Sequence, residues 1–186
     1  MSSESKITAQ EALAKLKSGN EKFLKSTIPT GDISPQIRKK TATEGQFPYA
    51  VIVTCSDSRV VPEDIFSAGI GELFVIRVAG FVVNKTQLGS IEYAADHLGT
   101  PLVVVLGHTQ CGAIDAALHR HEHKVEGALK VLIEEIAAAI GNEKNPDEAV
   151  KLNVRKGCNI IEADRLSAQV VGAIYHIDSG AIEFLD

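Results

Sequence analysis

A chain of 186 residues, 45% apolar and 23% charged, is sized for a single domain over residues 1–186 that buries roughly 70% of its unfolded surface, so neither metal nor disulfide is needed merely to fold it. A net charge of −5 argues against nucleic acid as a partner, because phosphate binding draws on clustered Lys and Arg, and no apolar run reaches the roughly 20 residues of a membrane span. Met1 to Lys6 lead into charged amphipathic text without the apolar core of a secretory signal, and the 3 cysteines make a poor disulfide framework, which together predict a cytoplasmic protein with free thiols.

Thr8-Ala9-Gln10-Glu11 is capping-box text, and Leu13, Leu16, Phe23 and Leu24 follow near helical spacing, which predicts an N-terminal amphipathic helix. From Ser26 to Phe47, Thr, Gly, charge and two prolines, Pro29 and Pro35, predict an arm or loop with at most one short helix. Residues 1–45 thus form a helical arm able to lie across a partner subunit. Tyr49 to Thr54, Leu73 to Ala79 and Leu102 to Leu106 are compact runs rich in Val and Ile, as buried parallel strands are. Thr86 to Leu98 between the last two reads as a helix stopped by Gly99 and Pro101, giving a βαβ unit. Gly112 to Leu118, Ala128 to Ile140 and Glu148 to Val171 are expected to be mainly helical. Ala173 to Ile177 and Ala181 to Leu185 flank Asp178-Ser179-Gly180 as a closing hairpin. The expected fold is α/β: a mixed sheet with a parallel core of about four strands plus a C-terminal antiparallel strand, flanked by helices, with the N-terminal helical arm outside.

Two strings stand just past strand ends, where open α/β sheets place ligands: Cys55-Ser56-Asp57-Ser58-Arg59 and His108-Thr109-Gln110-Cys111-Gly112. Zinc favours thiolate and imidazole, and a structural site normally takes four protein ligands. Cys55, His108 and Cys111 make three, which leaves a position for water and points to catalysis. On spacing alone the alternative stays open that both cysteines are small buried hydrophobes and His108 a hydrogen-bonded turn residue. Asp57, paired with Arg59, would remain ionised and orient a zinc-bound hydroxide. Two other roles also remain: Asp57 as a fourth zinc ligand in a closed state, released by Arg59, or Asp57 as a helix cap beside a surface ion pair. A zinc deaminase is disfavoured by the lack of His-x-Glu with Pro-Cys-x-x-Cys, and a thioredoxin-like role by the lack of Cys-x-x-Cys.

The pair Cys-x-Asp-x-Arg and His-x-x-Cys resembles the signature of the β-class carbonic anhydrases. Phe74 to Gly80, Gly89 to Ala94, Leu106 to His108 and Val171 to Tyr175 through Phe184-Leu185 are similar to that family's text in the same order, so the resemblance covers nearly the whole chain. It implies reversible hydration of carbon dioxide to bicarbonate and a proton, one Zn2+ per subunit held by Cys55, His108 and Cys111, catalytic roles for Asp57 and Arg59, and substrate contacts from Gln46, Phe74, Tyr93 and Gly112. It also implies a homodimer or a dimer of dimers, with the N-terminal helix embracing the neighbour. Carbonyl sulfide or carbon disulfide as substrate, and a non-catalytic zinc-binding module, are the competing readings. Two departures stand out. The Trp that some bacterial members use in an inhibitory bicarbonate site is Ile52 here, in a chain with no Trp, and Ala79-Gly80-Phe81 replaces the common Ala-Gly-Asn. His119, His121 and His123 could carry protons but read more simply as decoration of a helix end; His97 and His176 read as structural and Cys158 as a spare helix cysteine.

Overall fold

The structure is a computed structural model that describes residues 7–28, 31–122 and 125–185; the readings made for residues 1–6 and Pro29 lie outside these. One five-stranded sheet organises them, in the order β2-β1-β3-β4-β5. The strands are β1 (Ala50–Thr54), β2 (Leu73–Arg77), β3 (Leu102–His108), β4 (Gln169–Tyr175) and β5 (Ile182–Phe184). The first four run parallel, and β5 returns antiparallel on β4 with Tyr175 opposite Ile182. This is the mixed sheet that the apolar runs predict.

Central strands buried on both faces must be apolar throughout, and every residue of β1 and β3 is buried. Alternation sorts their side chains into two cores. Val51, Val53, Val103, Val105 and Ile174 point to one face, while Ala50, Ile52, Leu102, Val104, Leu106 and Ala173 point to the other. The first face is covered by α4 (Lys85–Glu92), α5 (Gly112–Leu118), α6 (Gly127–Ile140) and α7 (Pro146–Ala163), which bring Ile91, Ile114, Ile136, Val154 and Ile161. The second is covered by α1 (Ala9–Lys25) and the short α3 (Pro62–Ile65), with Ala12, Leu16, Ile65 and Phe66.

Helix α1 begins as its sequence dictates, with a capping box between Thr8 and Glu11. Its buried stripe is Ala12, Leu16, Gly19 and Asn20, and it lies on the sheet of its own chain. Gly19 permits close approach: a Cβ there would stand 1.9 Å from the Phe66 carbonyl oxygen. Asn20, 6% exposed, donates to the carbonyls of Ile65 and Gly180 at 3.2 and 2.9 Å and accepts from the Ile182 N–H at 3.2 Å. One amide therefore ties α1 to both α3 and the β4–β5 hairpin. Helix α2 (Pro35–Glu44) buries no residue; Pro35, read as a helix breaker, is its first residue behind the Ser34 cap, where proline's missing N–H costs nothing.

Three expectations need correction. The helix expected from Glu148 to Val171 starts at Pro146 behind an Asn145 cap and ends at Ala163. Arg165 then turns the chain in the left-handed region (φ 55°), and Gln169 to Val171 pair with Leu102 to Val104 as strand, so the sheet edge outweighs helical spacing there. The helix expected from Thr86 to Leu98 is α4 followed by a π turn over Tyr93–His97. The strand expected to Ala79 stops at Arg77, and Ala79–Phe81 form a 3-10 turn.

Asn20→Ala leaves buried backbone groups unpaired and should cost about 1–3 kcal/mol in urea unfolding, whereas Lys40→Ala, which removes the exposed pair with Glu44, should cost under about 0.5 kcal/mol. Equal costs would show that Asn20 does not join these elements.

Candidate active site

Cys55 directly follows β1, His108 is the last residue of β3, and Cys111 immediately precedes α5. Because β1 and β3 are parallel neighbours with Thr54 opposite Leu106, their C-terminal ends deliver Cys55 and His108 to one place. The Thr54 hydroxyl donates to the Leu106 carbonyl at 2.8 Å and pins the two strand ends together. Gln110 takes a left-handed turn (φ 56°) that brings Cys111 back over the sheet. The two sulfurs and an imidazole nitrogen lie within 4.8 Å of one another, on three buried residues.

The protonation of this cluster follows from its surroundings. His108 Nδ1 lies 2.9 Å from the Thr109 carbonyl oxygen, which can only accept, so Nδ1 carries the proton and Nε2 the lone pair. That Nε2 is buried and has no hydrogen-bond partner. Cys55 is held well below the usual thiol range, chiefly by the hydrogen bond from the Cys111 thiol, against desolvation and with help from the Gly80 N–H. Cys111 is pushed up in turn, because it holds the proton beside that sulfur and is itself buried. Two thiolates this close repel, and one divalent cation relieves the repulsion while taking up the orphaned Nε2 lone pair. Two sulfurs and one imidazole are the donor set that zinc prefers.

Asp57 sits beside the cluster without belonging to it. Its Oδ1 accepts from the Arg59 N–H and Nε, each at 2.9 Å, and its Oδ2 accepts from Arg59 Nη2 at 2.7 Å. That bidentate grip holds the carboxyl well below the usual carboxylate range. Oδ2 is 4.0 Å from His108 Nε2, beyond hydrogen-bond reach. In this arrangement Arg59 holds Asp57 in a bidentate ion pair beside the cluster. Arg59 Nη2 also donates to the Gln110 carbonyl at 3.2 Å, linking the two motifs.

Four contributors carry no motif of their own. Arg77, at the end of β2, donates to the carbonyls of Cys55 and Asp57 at 3.2 and 2.7 Å. The Gly80 N–H points to Cys55 Sγ at 3.3 Å. Asn153 reaches the Gly80 carbonyl at 2.8 Å, and Thr54 acts as described. A charged residue closing an apolar run, and a lone amide within an apolar helical stripe, were the sequence signals available for Arg77 and Asn153.

The other named residues separate. Phe74 and Tyr93 stand with ring centroids 6.2 Å apart, Phe74 half-buried and Tyr93 49% exposed. Gln46 and Gly112 are exposed. A cleft of about 730 Å3 beside the Gln110–Gly112 turn is lined by Cys111, Gly112, Asp115, Asn145 and His176 among others, but not by Gln46, Phe74 or Tyr93. His119 turns back on Asp115 of its own helix, His121 borders a different cavity with Arg120 and Lys130, and His123 lies outside the described residues. His97 packs on Tyr93 and His176 pairs with Glu183. Cys158, raised to about 11 by burial, is not in the cluster.

The carbonic anhydrase family profile matches residues 50–182, which include both motifs and all but the end of the sheet. The chain belongs to this family. It is 37% identical over 181 residues to "Carbonic anhydrase 2" of Mycobacterium tuberculosis, covering 89% of this chain and 87% of that protein. A solved tetrameric β-carbonic anhydrase of Sordaria macrospora superposes with a TM-score of 0.69 at 27% identity, covering 82% of this chain and 87% of that one. A carbon disulfide hydrolase shares the fold at 17% identity with a TM-score of 0.58, over 80% and 86% of the two chains. β-Carbonic anhydrases are zinc enzymes, and the Cys-His-Cys cluster of this family member is positioned to hold such an ion.

Arg77→Ala frees the carbonyls of Cys55 and Asp57 at a partly solvated site. Amide exchange over residues 55–60 should accelerate while global stability falls by only about 1 kcal/mol. Unchanged exchange in that loop would remove Arg77 from its support.

Proposed function

We propose that this chain catalyses the reversible hydration of carbon dioxide to bicarbonate and a proton, with zinc held by Cys55, His108 and Cys111. The observation that carries this reading is the three-donor cluster with Asp57 locked on Arg59 at its side. When bound, zinc supplies a Lewis acid that lowers the pKa of water toward about 7 and so makes hydroxide available at neutral pH. The residues do the rest. Arg59 keeps Asp57 ionised and turned away from the donor atoms, so its carboxylate is free to accept a hydrogen bond from the attacking oxygen and aim that oxygen's lone pair at the carbon of a small linear electrophile. The balance is one carbon dioxide and one water converted to one bicarbonate and one proton.

Phe74 and Tyr93 give one apolar wall of the substrate pocket, and Gln46 and the Gly112 amide its polar contacts. That wall is open in a single chain, with Tyr93 49% exposed, and the arm shows Ile28, Ile33 and Phe47 at 71%, 67% and 74% exposure. A second subunit closing over these side chains completes the pocket, so the working state is a homodimer or a dimer of dimers, with residues 1–45 contributing to the contact. The tetrameric state described for the Sordaria proteins supports this. No helix among the described residues is long and apolar enough to cross a membrane, and three free cysteines suit a reducing, cytoplasmic setting. The shared fold of the carbon disulfide hydrolase favours one second reading, in which a sulfur analogue of carbon dioxide is the substrate.

Stopped-flow proton release should be rapid with carbon dioxide and absent with carbon disulfide; the reverse pattern selects the second reading. Cys55→Ala should lose zinc and hydration together, while Asp57→Ala should keep zinc and lose about 10²-fold in kcat/KM; full zinc in Cys55→Ala would overturn the ligand assignment. Light scattering should give a mass of at least twice 19.9 kDa, and an active monomer would contradict the completed-pocket account.

A further inference from the structure

After β2 the chain folds back under the metal centre through the turn Ala79–Phe81. Gly80 (φ 67°) and Phe81 (φ 45°) are both left-handed, a region open to glycine and strained for phenylalanine. Helices α5 and α6 press on the turn: a Cβ on Gly80 would meet Ile136 Cδ1 at 2.6 Å and Ala113 Cβ at 3.2 Å. Two groups of the turn reach the candidate ligands. The Gly80 N–H approaches Cys55 Sγ, and the fully buried Phe81 ring stands edge-on to the His108 ring, with centroids 6.4 Å apart.

Glycine is the residue least able to hold its own peptide planes, so the aim of that N–H needs an outside support. Asn153 supplies it. On α7 the buried stripe runs Ala149, Val150, Asn153, Val154, Gly157 and Ile161, and the single polar side chain among them, 5% exposed, donates to the Gly80 carbonyl at 2.8 Å. A buried amide costs free energy unless it is bonded, and an aliphatic side chain would serve packing better. Asn153 also borders a cavity of about 240 Å3, so tight filling of space is not its task.

We propose that Asn153 is a positioning residue for the metal centre: by fixing the Gly80 carbonyl it holds the Gly80 N–H on the Cys55 sulfur and the Phe81 ring against His108. This rests on Cys55 and His108 being metal ligands. A hydrogen bond to a ligating sulfur draws charge from it, and the partners of metal ligands govern both affinity and electronic structure.

The test compares the parent chain, Asn153→Ala and Ile161→Ala, the last a cavity in the same helix with no polar link to the turn. Zinc affinity is read by chelator competition, and the thiolate-to-cobalt charge-transfer band by absorption after cobalt loading. Asn153→Ala should bind zinc about 10–100-fold more weakly and move the cobalt band to lower energy, while Ile161→Ala keeps the parent values. Asn153→Ala matching Ile161→Ala in both readings overturns the proposal. A parent chain that takes up no zinc or cobalt overturns the metal centre and the proposal with it, and is recognised from the parent alone. If Asn153→Ala does not fold, Asn153→Ser, with its shorter donor arm, decides: weaker binding and a shifted band support the proposal, and parent values overturn it.

Discussion

Two buried sulfurs and an unpaired imidazole nitrogen gathered within 4.8 Å are an arrangement that protein groups alone leave unbalanced. One thiol can ionise only by taking a hydrogen bond from the other, which is then held protonated, and His108 Nε2 has nothing to receive its lone pair. A divalent cation resolves both problems at once, releasing the remaining thiol proton as it binds. The rest of the molecule keeps these donors together at the ends of two paired parallel strands.

That means is distributed over both faces of the sheet. From the β2 edge, Arg77 holds the carbonyls of the Cys55–Asp57 loop. Between β1 and β3, the Thr54 hydroxyl locks the strand ends. From the helical layer, α7 presses Val150 and Val154 against Gly107, where any Cβ would stand under 3 Å from them, so the residue before His108 is fixed by packing. Arg59 bridges the two motifs through the Gln110 carbonyl while gripping Asp57. The bidentate pair keeps the carboxylate charged. Phe74, half-buried, lies on the edge strand β2, and Tyr93, 49% exposed, opens the π turn beside it.

Much of this was legible in the sequence because its determinants are local. Runs of Val and Ile with no polar interruption name β1 and β3, the capping box names the start of α1, and the two motifs fall at strand ends where chemistry is expected. What was not legible depends on distant partners. Gln169 to Val171 become strand only because β3 offers a free edge, although their spacing continues a helix. The role of Asn153 depends on a residue 73 positions away, and that of Arg77 on a loop 20 positions back; neither belongs to a string whose spacing names its function. Phe81, conspicuous as a departure from family text, shows its effect only in three dimensions, as an edge-on contact to His108 in a strained backbone.

Zinc-edge X-ray absorption on the purified protein tests the central claim most directly, because it counts the donors around the ion without reference to any activity. Two sulfurs at about 2.3 Å and two nitrogen or oxygen atoms at about 2.0–2.1 Å are predicted for the parent chain. A zinc shell without sulfur, or one with four sulfurs, would contradict the account.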